Sequence, residues 1–171
     1  MKILILNGSP TKDGNTVALV NAFKDGAESY GHTVTVLDVA HKKVNGCMSC
    51  GYCHNQGNGK CVQQDDMQQI YPHLMEAEMI VFASPIYYFT MSAQLEAVIQ
   101  RFYAINHPPK AKYSALLLSS HSPDVYAGAV GQYKDMIAYM GIVDKGIVTA
   151  DYSTNKTPEK LAEAKKLGAS I

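Results

Sequence analysis

The chain has 171 residues, 47% of them apolar and 18% charged, and its formal net charge is +0. That length suits one domain built on one core, and the balance excludes a disordered chain. With Arg101 as the single arginine and no basic surplus, a nucleic-acid footprint is excluded; any bound anion must be held by backbone, hydroxyls or lysine.

No run is long enough to cross a membrane. Met1–Leu6 is apolar but short, and it runs into Asn7-Gly8-Ser9-Pro10 with no cleavage site of small residues. It reads as a buried first strand, Lys2–Leu6, rather than a signal peptide, so a cytoplasmic location is expected. In a reducing compartment cysteines serve more often as ligands or redox groups than as structural disulfides.

Asn15 to Gly31 has helical spacing, with Val17, Val20, Phe23 and Ala27 on one face and Asn15 as a candidate cap. Thr33–Val39 is β-branched and reads as a strand. A polar, glycine-rich stretch at about 41–64 carries all four cysteines. Asp65 to Glu76 reads as a helix with two acids in its first turn and a kink expected at Pro72. Met79–Ala83 is an apolar strand ending at Ser84-Pro85, and Met91 to Ile105 is a further helix. Tyr113–Ser119 and Ile142–Ala150 complete the strands. Helices are predicted from Tyr126 to Met140 and from Thr157-Pro158-Glu159, where a hydroxyl cap precedes proline at the first helical position.

Strict alternation of five strands with helices predicts an α/β chain, a parallel sheet covered on both faces, over a single domain spanning 1–171. Five strands fit the order 2-1-3-4-5, which places a ligand beyond the strand C-termini at the switch point.

The segment after the first strand, Gly8-Ser9-Pro10-Thr11-Lys12-Asp13-Gly14-Asn15-Thr16, suits a phosphate cradle. Glycine permits the turn, free N–H groups at a helix start point at the anion, and Ser9, Thr11 and Thr16 add hydroxyls. The alternative is a plain turn with a helix cap. The dinucleotide fingerprint and the triphosphate loop are both absent, so a phosphomonoester fits best. After the third strand come Pro85, Ile86, Tyr87, Tyr88 and Phe89. Proline stiffens this loop and the aromatics offer π-faces. Three adjacent aromatics cannot all face one core, so at least one is expected to face a ligand or partner.

These two loops resemble the NAD(P)H-dependent FMN reductase and flavodoxin-like families, whose first loop reads Gly-Ser-Pro, a spacer, then Gly-Asn-Thr. The resemblance implies a flavodoxin-like three-layer sandwich. It implies FMN with its phosphate on Ser9, Pro10, Thr11, Asn15 and Thr16 and its ring against Pro85 to Phe89. A third contact is implied after the fourth strand, at Ser120 and His121, although a loop histidine can equally face solvent. Where the family often has Asp-Arg, this chain has Gln100-Arg101.

Cys47, Cys50, Cys53 and Cys61 form C-x2-C-x2-C-x7-C. The two tight spacings resemble an iron–sulfur ligand run, and the insert's position resembles that in the iron–sulfur flavoproteins. A 4Fe-4S cluster, a zinc ion, or thiols free or disulfide-linked are the readings left open. Metal ligation would explain how such an insert becomes ordered.

The expected function is an FMN-dependent oxidoreductase linked to NAD(P)H, with no catalytic acid or base named among the side chains. Alternatives are a non-catalytic FMN electron carrier, which the neutral charge disfavours, and a metal-stabilised interaction domain without flavin. The resemblance further implies a homodimer or homotetramer in which one subunit's cysteine loop approaches a neighbour's flavin. No nucleic-acid or membrane partner is expected.

Overall fold

The computed structural model describes residues 1–171. Five strands, β1 (Lys2–Asn7), β2 (Thr33–Asp38), β3 (Met79–Pro85), β4 (Tyr113–Ser119) and β5 (Val143–Ala150), form one sheet in the order β2-β1-β3-β4-β5. Every neighbouring pair is parallel. The helices are α1 (Asn15–Ser29), a short α2 (Tyr52–Asn55), α3 (Met67–Glu76), α4 (Ala93–Gln100), α5 (Ala127–Tyr139) and α6 (Pro158–Ala169). The expected strand order is therefore observed.

Both faces of the sheet are dry, which is why its central strands are apolar without a break. Side chains alternate between two cores. Ile3 and Ile5 of β1 join Val81, Leu117, Phe23 and Val20 beneath α1 and α6. Leu4 and Leu6 join Phe82, Leu116, Leu74, Val98 and Tyr133 beneath α3, α4 and α5. Each large apolar side chain so buried contributes about 1.5–3 kcal/mol.

Local signals shifted where packing or capping chose otherwise. Asn15 is the first residue inside α1, and Gly14 holds the cap position with no side-chain bond. Asp65 and Asp66 precede α3 rather than occupying its first turn; Asp65 Oδ1 accepts the Met67 N–H at 3.1 Å. Pro72 sits inside α3 without ending it. Full burial of Met67, Ile70 and Leu74 outweighs the roughly 3 kcal/mol a mid-helix proline costs. α4 starts at Ala93 rather than Met91, with Ser92 capping it by accepting the Leu95 N–H, and it tightens into a 3₁₀ segment over Arg101–Ile105. Thr157 caps α6 as expected, accepting the Lys160 N–H.

α1 and α6 cross at two glycines. A Cβ on Gly26 would lie 2.0 Å from the Lys165 carbonyl oxygen, and one on Gly168 would lie 2.1 Å from that of Phe23. Only hydrogen fits, so the two backbones touch. Gly168→Ala is expected to destabilise the fold by about 2 kcal/mol, read as a lower urea midpoint. A wild-type midpoint would show that the helices part without cost.

Candidate functional site

In a parallel sheet every strand delivers its following loop to the same edge. Here the loops after β1, β3, β4 and β5 meet in a cleft of about 740 Å³. That volume is in the range of cofactor sites. Ser9, Thr11, Asn15, Thr16, Pro85, Ile86, Tyr87, Ser120 and His121 all line it. Pro10 instead lines an adjoining cleft of about 750 Å³, which shares Tyr87 and runs to Gly46 at the root of the cysteine insert. Tyr88 borders a smaller depression with His121 and projects outward.

The first loop is fixed from below. Asn7 donates Nδ2–H to Asp38 Oδ1 at 2.8 Å, and its Oδ1 accepts the Ser9 N–H at 3.1 Å. Thr16 Oγ1 and Ser119 Oγ lie 2.7 Å apart in the buried floor, joining this loop to the end of β4. No side chain caps α1, so its leading N–H groups, at Asn15, Thr16 and Val17, open toward the cleft floor. A 15-residue helix also brings the positive end of its dipole there.

The loop after β3 is a tight hairpin. Tyr87 and Thr90 exchange backbone bonds at 3.0 and 3.1 Å, and Ile86 N–H reaches the Ser119 carbonyl at 2.8 Å. Its tip residues, Tyr88 and Phe89, have φ of 48° and 69°, a conformation glycine and asparagine favour. Tyr87, Tyr88 and Phe89 are 51%, 97% and 55% exposed. None of the three is core, and the strained backbone holds aromatic surface out at the cleft mouth.

Ser120 is engaged within the protein. Its hydroxyl donates to the Ser122 carbonyl at 2.6 Å and lies 2.7 Å from Tyr126 Oη. It forms wall rather than a free donor. The His121 ring lies 5.8 Å from that of Tyr152.

A fourth loop, after β5, was not foreseen. Tyr152 and Asn155 complete the lining. Asp151 organises this loop by accepting the Ser153 and Thr154 N–H groups at 2.9 and 3.2 Å. Lys156 Nζ donates to the Asp13 carbonyl at 2.6 Å, drawing it against the first loop. Asn155 donates Nδ2–H to the Ser120 carbonyl at 2.9 Å, while its Oδ1 is buried without a partner. The Asp-x-Ser-Thr turn behind the last strand, with an aromatic inside it, was the available signal.

A buried ion pair anchors the root of the cysteine insert, whose body is also held by the Cys47 N–H donating to Gln100 Oε1 at 3.3 Å and by His54 Nε2, 2.8 Å from the Tyr103 carbonyl. Arg101, its side chain 1% exposed, donates Nη1–H to Asp65 Oδ2 at 2.7 Å and to the Asn45 carbonyl at 2.9 Å. Burial opposes ionisation of Asp65, but the bonds from Arg101 and from the Asn45 and Met67 N–H groups prevail and hold its carboxyl below the ordinary range. The four cysteines line one small cavity, of about 20 Å³, together with Arg101 and Gln63. All four are unpaired; Cys53 is buried, Cys61 half-buried, and Cys47 and Cys50 exposed. Burial pushes the Cys53 thiol up.

No three histidine, cysteine or acidic side chains converge on a single metal position. A lone zinc ion needs its thiolates about 2.3 Å from one point, so this arrangement does not fit one. A cubane binds each thiolate through a different iron and leaves the sulfurs further apart. Four soft donors around one cavity beside a buried guanidinium fit such an anionic cluster in chemistry.

This doubly wound parallel sheet, with an uncapped helix end, hydroxyl residues and aromatics lining one cleft at its switch point, is of the flavodoxin-like class. Residues 1–155 match the NADPH-dependent FMN reductase family, to which the chain belongs. It is 34% identical to an iron–sulfur flavoprotein of Archaeoglobus fulgidus, over 100% of this chain and 79% of that protein. It is also 34% identical to the iron–sulfur flavoprotein MJ1083 of Methanocaldococcus jannaschii, over 59% of this chain. That alignment spans only 51%, about half, of the relative's length. An azoreductase from Bacillus anthracis shares the fold at a TM-score of 0.74 and 18% identity, covering 100% of both chains.

Two outcomes are expected here. Tyr88→Asn combined with Phe89→Gly should raise unfolding free energy by about 1–2 kcal/mol in denaturant titrations, because it relieves two left-handed backbones. Asp65→Asn should cost about 3 kcal/mol at neutral pH, because it leaves Arg101 buried without its counter-charge. The Asp65 carboxyl is depressed on folding, so its contribution is present above about pH 4 and lost as pH falls below. Between pH 7 and pH 3 wild type should therefore lose more stability than Asp65→Asn, and parallel curves would refute the coupling.

Proposed function

We propose that the chain is an FMN-dependent oxidoreductase that takes electrons from NAD(P)H and passes them on through a cluster in its cysteine insert. One observation carries the flavin reading. The unpartnered N-terminus of α1, Ser9 and Thr11, with Thr16 held to Ser119 in the floor, share a single cleft with the Pro85–Tyr87 hairpin. With no arginine at this edge, main-chain N–H groups and small alcohols would hold the phosphate. Pro10, at the rim between the two clefts, and Asn15 complete that loop. Pro85, Ile86 and Tyr87 would bound the ring, with Tyr88 at the entrance and His121 on the far wall. Asn155 Oδ1, buried and unpartnered, offers an acceptor for a ribityl hydroxyl.

Bound FMN supplies two-electron acceptance and single-electron release. The protein's part is to orient and enclose it. The cleft is lined by no carboxylate, so solvent or His121 would supply any proton needed there. Cys47, Cys50, Cys53 and Cys61 would hold a 4Fe-4S cluster, supported by their shared cavity and by the two relatives named iron–sulfur flavoproteins. Four unpaired thiols suit a reducing, cytoplasmic setting. The aromatics exposed at the hairpin tip support association of copies as a homodimer or homotetramer.

The test is FMN titration into flavin-free protein, followed by NADPH and NADH oxidation with a dye acceptor. Saturable uptake and flavin-dependent turnover are expected. Thr11→Val should weaken FMN binding by about tenfold, the value of one good hydrogen bond to an anion. Folded protein that takes up no FMN overturns the reading.

A further inference from the structure

Arg101 has more donors than the protein uses. Nη1 serves Asp65 and Asn45, but Nε and Nη2 are buried and have no partner. Two unsatisfied donors on one fully buried cation are costly unless a further acceptor completes the site. Arg101 stands in the wall of the cavity lined by Cys47, Cys50, Cys53 and Cys61. Gln63, in the same wall, directs its amide N–H to the Gly46 carbonyl at 3.1 Å. The cavity offers the guanidinium four cysteine sulfurs, beside the Gln63 amide oxygen and the Tyr103 hydroxyl, and the sulfurs are the acceptors that become anionic when a cluster is held.

We infer that Arg101 is a positioning residue for the cysteine-held cluster: its Nε–H and Nη2–H donate to cluster or cysteinyl sulfur, and Nη1 ties that contact through Asp65 to the root of α3. The inference rests on the cluster reading above. Its consequence is electrostatic. Reduction adds one negative charge to an already anionic group, and a buried cation with two donors favours the reduced form. Arg101 therefore raises the reduction potential and biases electrons toward the insert. Asp65, the negative partner of Arg101 at 2.7 Å, lowers it.

The opposite signs make the test. Anaerobically reconstituted wild type, Arg101→Lys, Arg101→Gln and Asp65→Asn are assayed for iron and sulfide. Their cluster midpoint potentials are then measured by dye-mediated titration followed by electron paramagnetic resonance. Circular dichroism and FMN uptake report the fold. The potential should fall in Arg101→Gln and fall less in Arg101→Lys, which keeps the charge but loses the fork. It should rise in Asp65→Asn. A merely structural anchor would move Arg101→Lys and Asp65→Asn in the same direction, and that result overturns the inference. So does an unshifted potential in Arg101→Lys at full iron content. Wild type that holds no iron or sulfide overturns the cluster reading and this inference with it; iron-replete wild type with unmoved variants overturns this inference alone.

Discussion

The site depends on one constraint: all five strands run the same way. A parallel sheet buried on both faces can turn its chain only at its two edges, and every strand enters its following loop at the same one. Four loops distant in sequence therefore converge without any dedicated device. The short bonds at this edge lock them together. Thr16 meets Ser119 at 2.7 Å, and Ile86 donates to the Ser119 carbonyl at 2.8 Å. Ser119, at the end of β4, is thus the joint between the phosphate-type loop and the aromatic hairpin.

The polar ends of this edge are left unequal. α4 and α6 have a first-turn N–H satisfied by the side chains of Ser92 and Thr157, whereas α5 has no such cap. α1 has none either. The two left-handed aromatics, Tyr88 and Phe89, make the same point in backbone terms. Local stability is lower where the cleft is built, and a bound ligand restores what the fold leaves open.

The cysteine insert follows a different logic. It adds no strand and contributes little to the main cores. A single buried ion pair, Arg101–Asp65, joins its two ends to the end of α4. Such a pair stabilises little against an apolar substitute, yet it fixes register strictly, because neither charge tolerates losing the other. The pair thus holds the ends of a loop whose four thiols line one cavity. The adjoining cleft between Pro10, Tyr87, Gln100 and Gly46 brings the insert's root up to the flavin-type cleft within one chain.

The sequence by itself determined the strands, their alternation with helices, the first loop and the aromatic hairpin, since hydropathy period and turn chemistry are local properties. It also placed the four cysteines in one insert, because their spacing is short. Only the tertiary structure decided which loop side chains share a wall. It sent Tyr88 outward and Pro10 to the neighbouring cleft, engaged the Ser120 hydroxyl, and brought in Tyr152 and Asn155 from the far end of the chain. It also paired Arg101 with Asp65 across 36 residues. A side chain's partners depend on distances set by the whole packed sheet, and no local pattern of residues contains those distances.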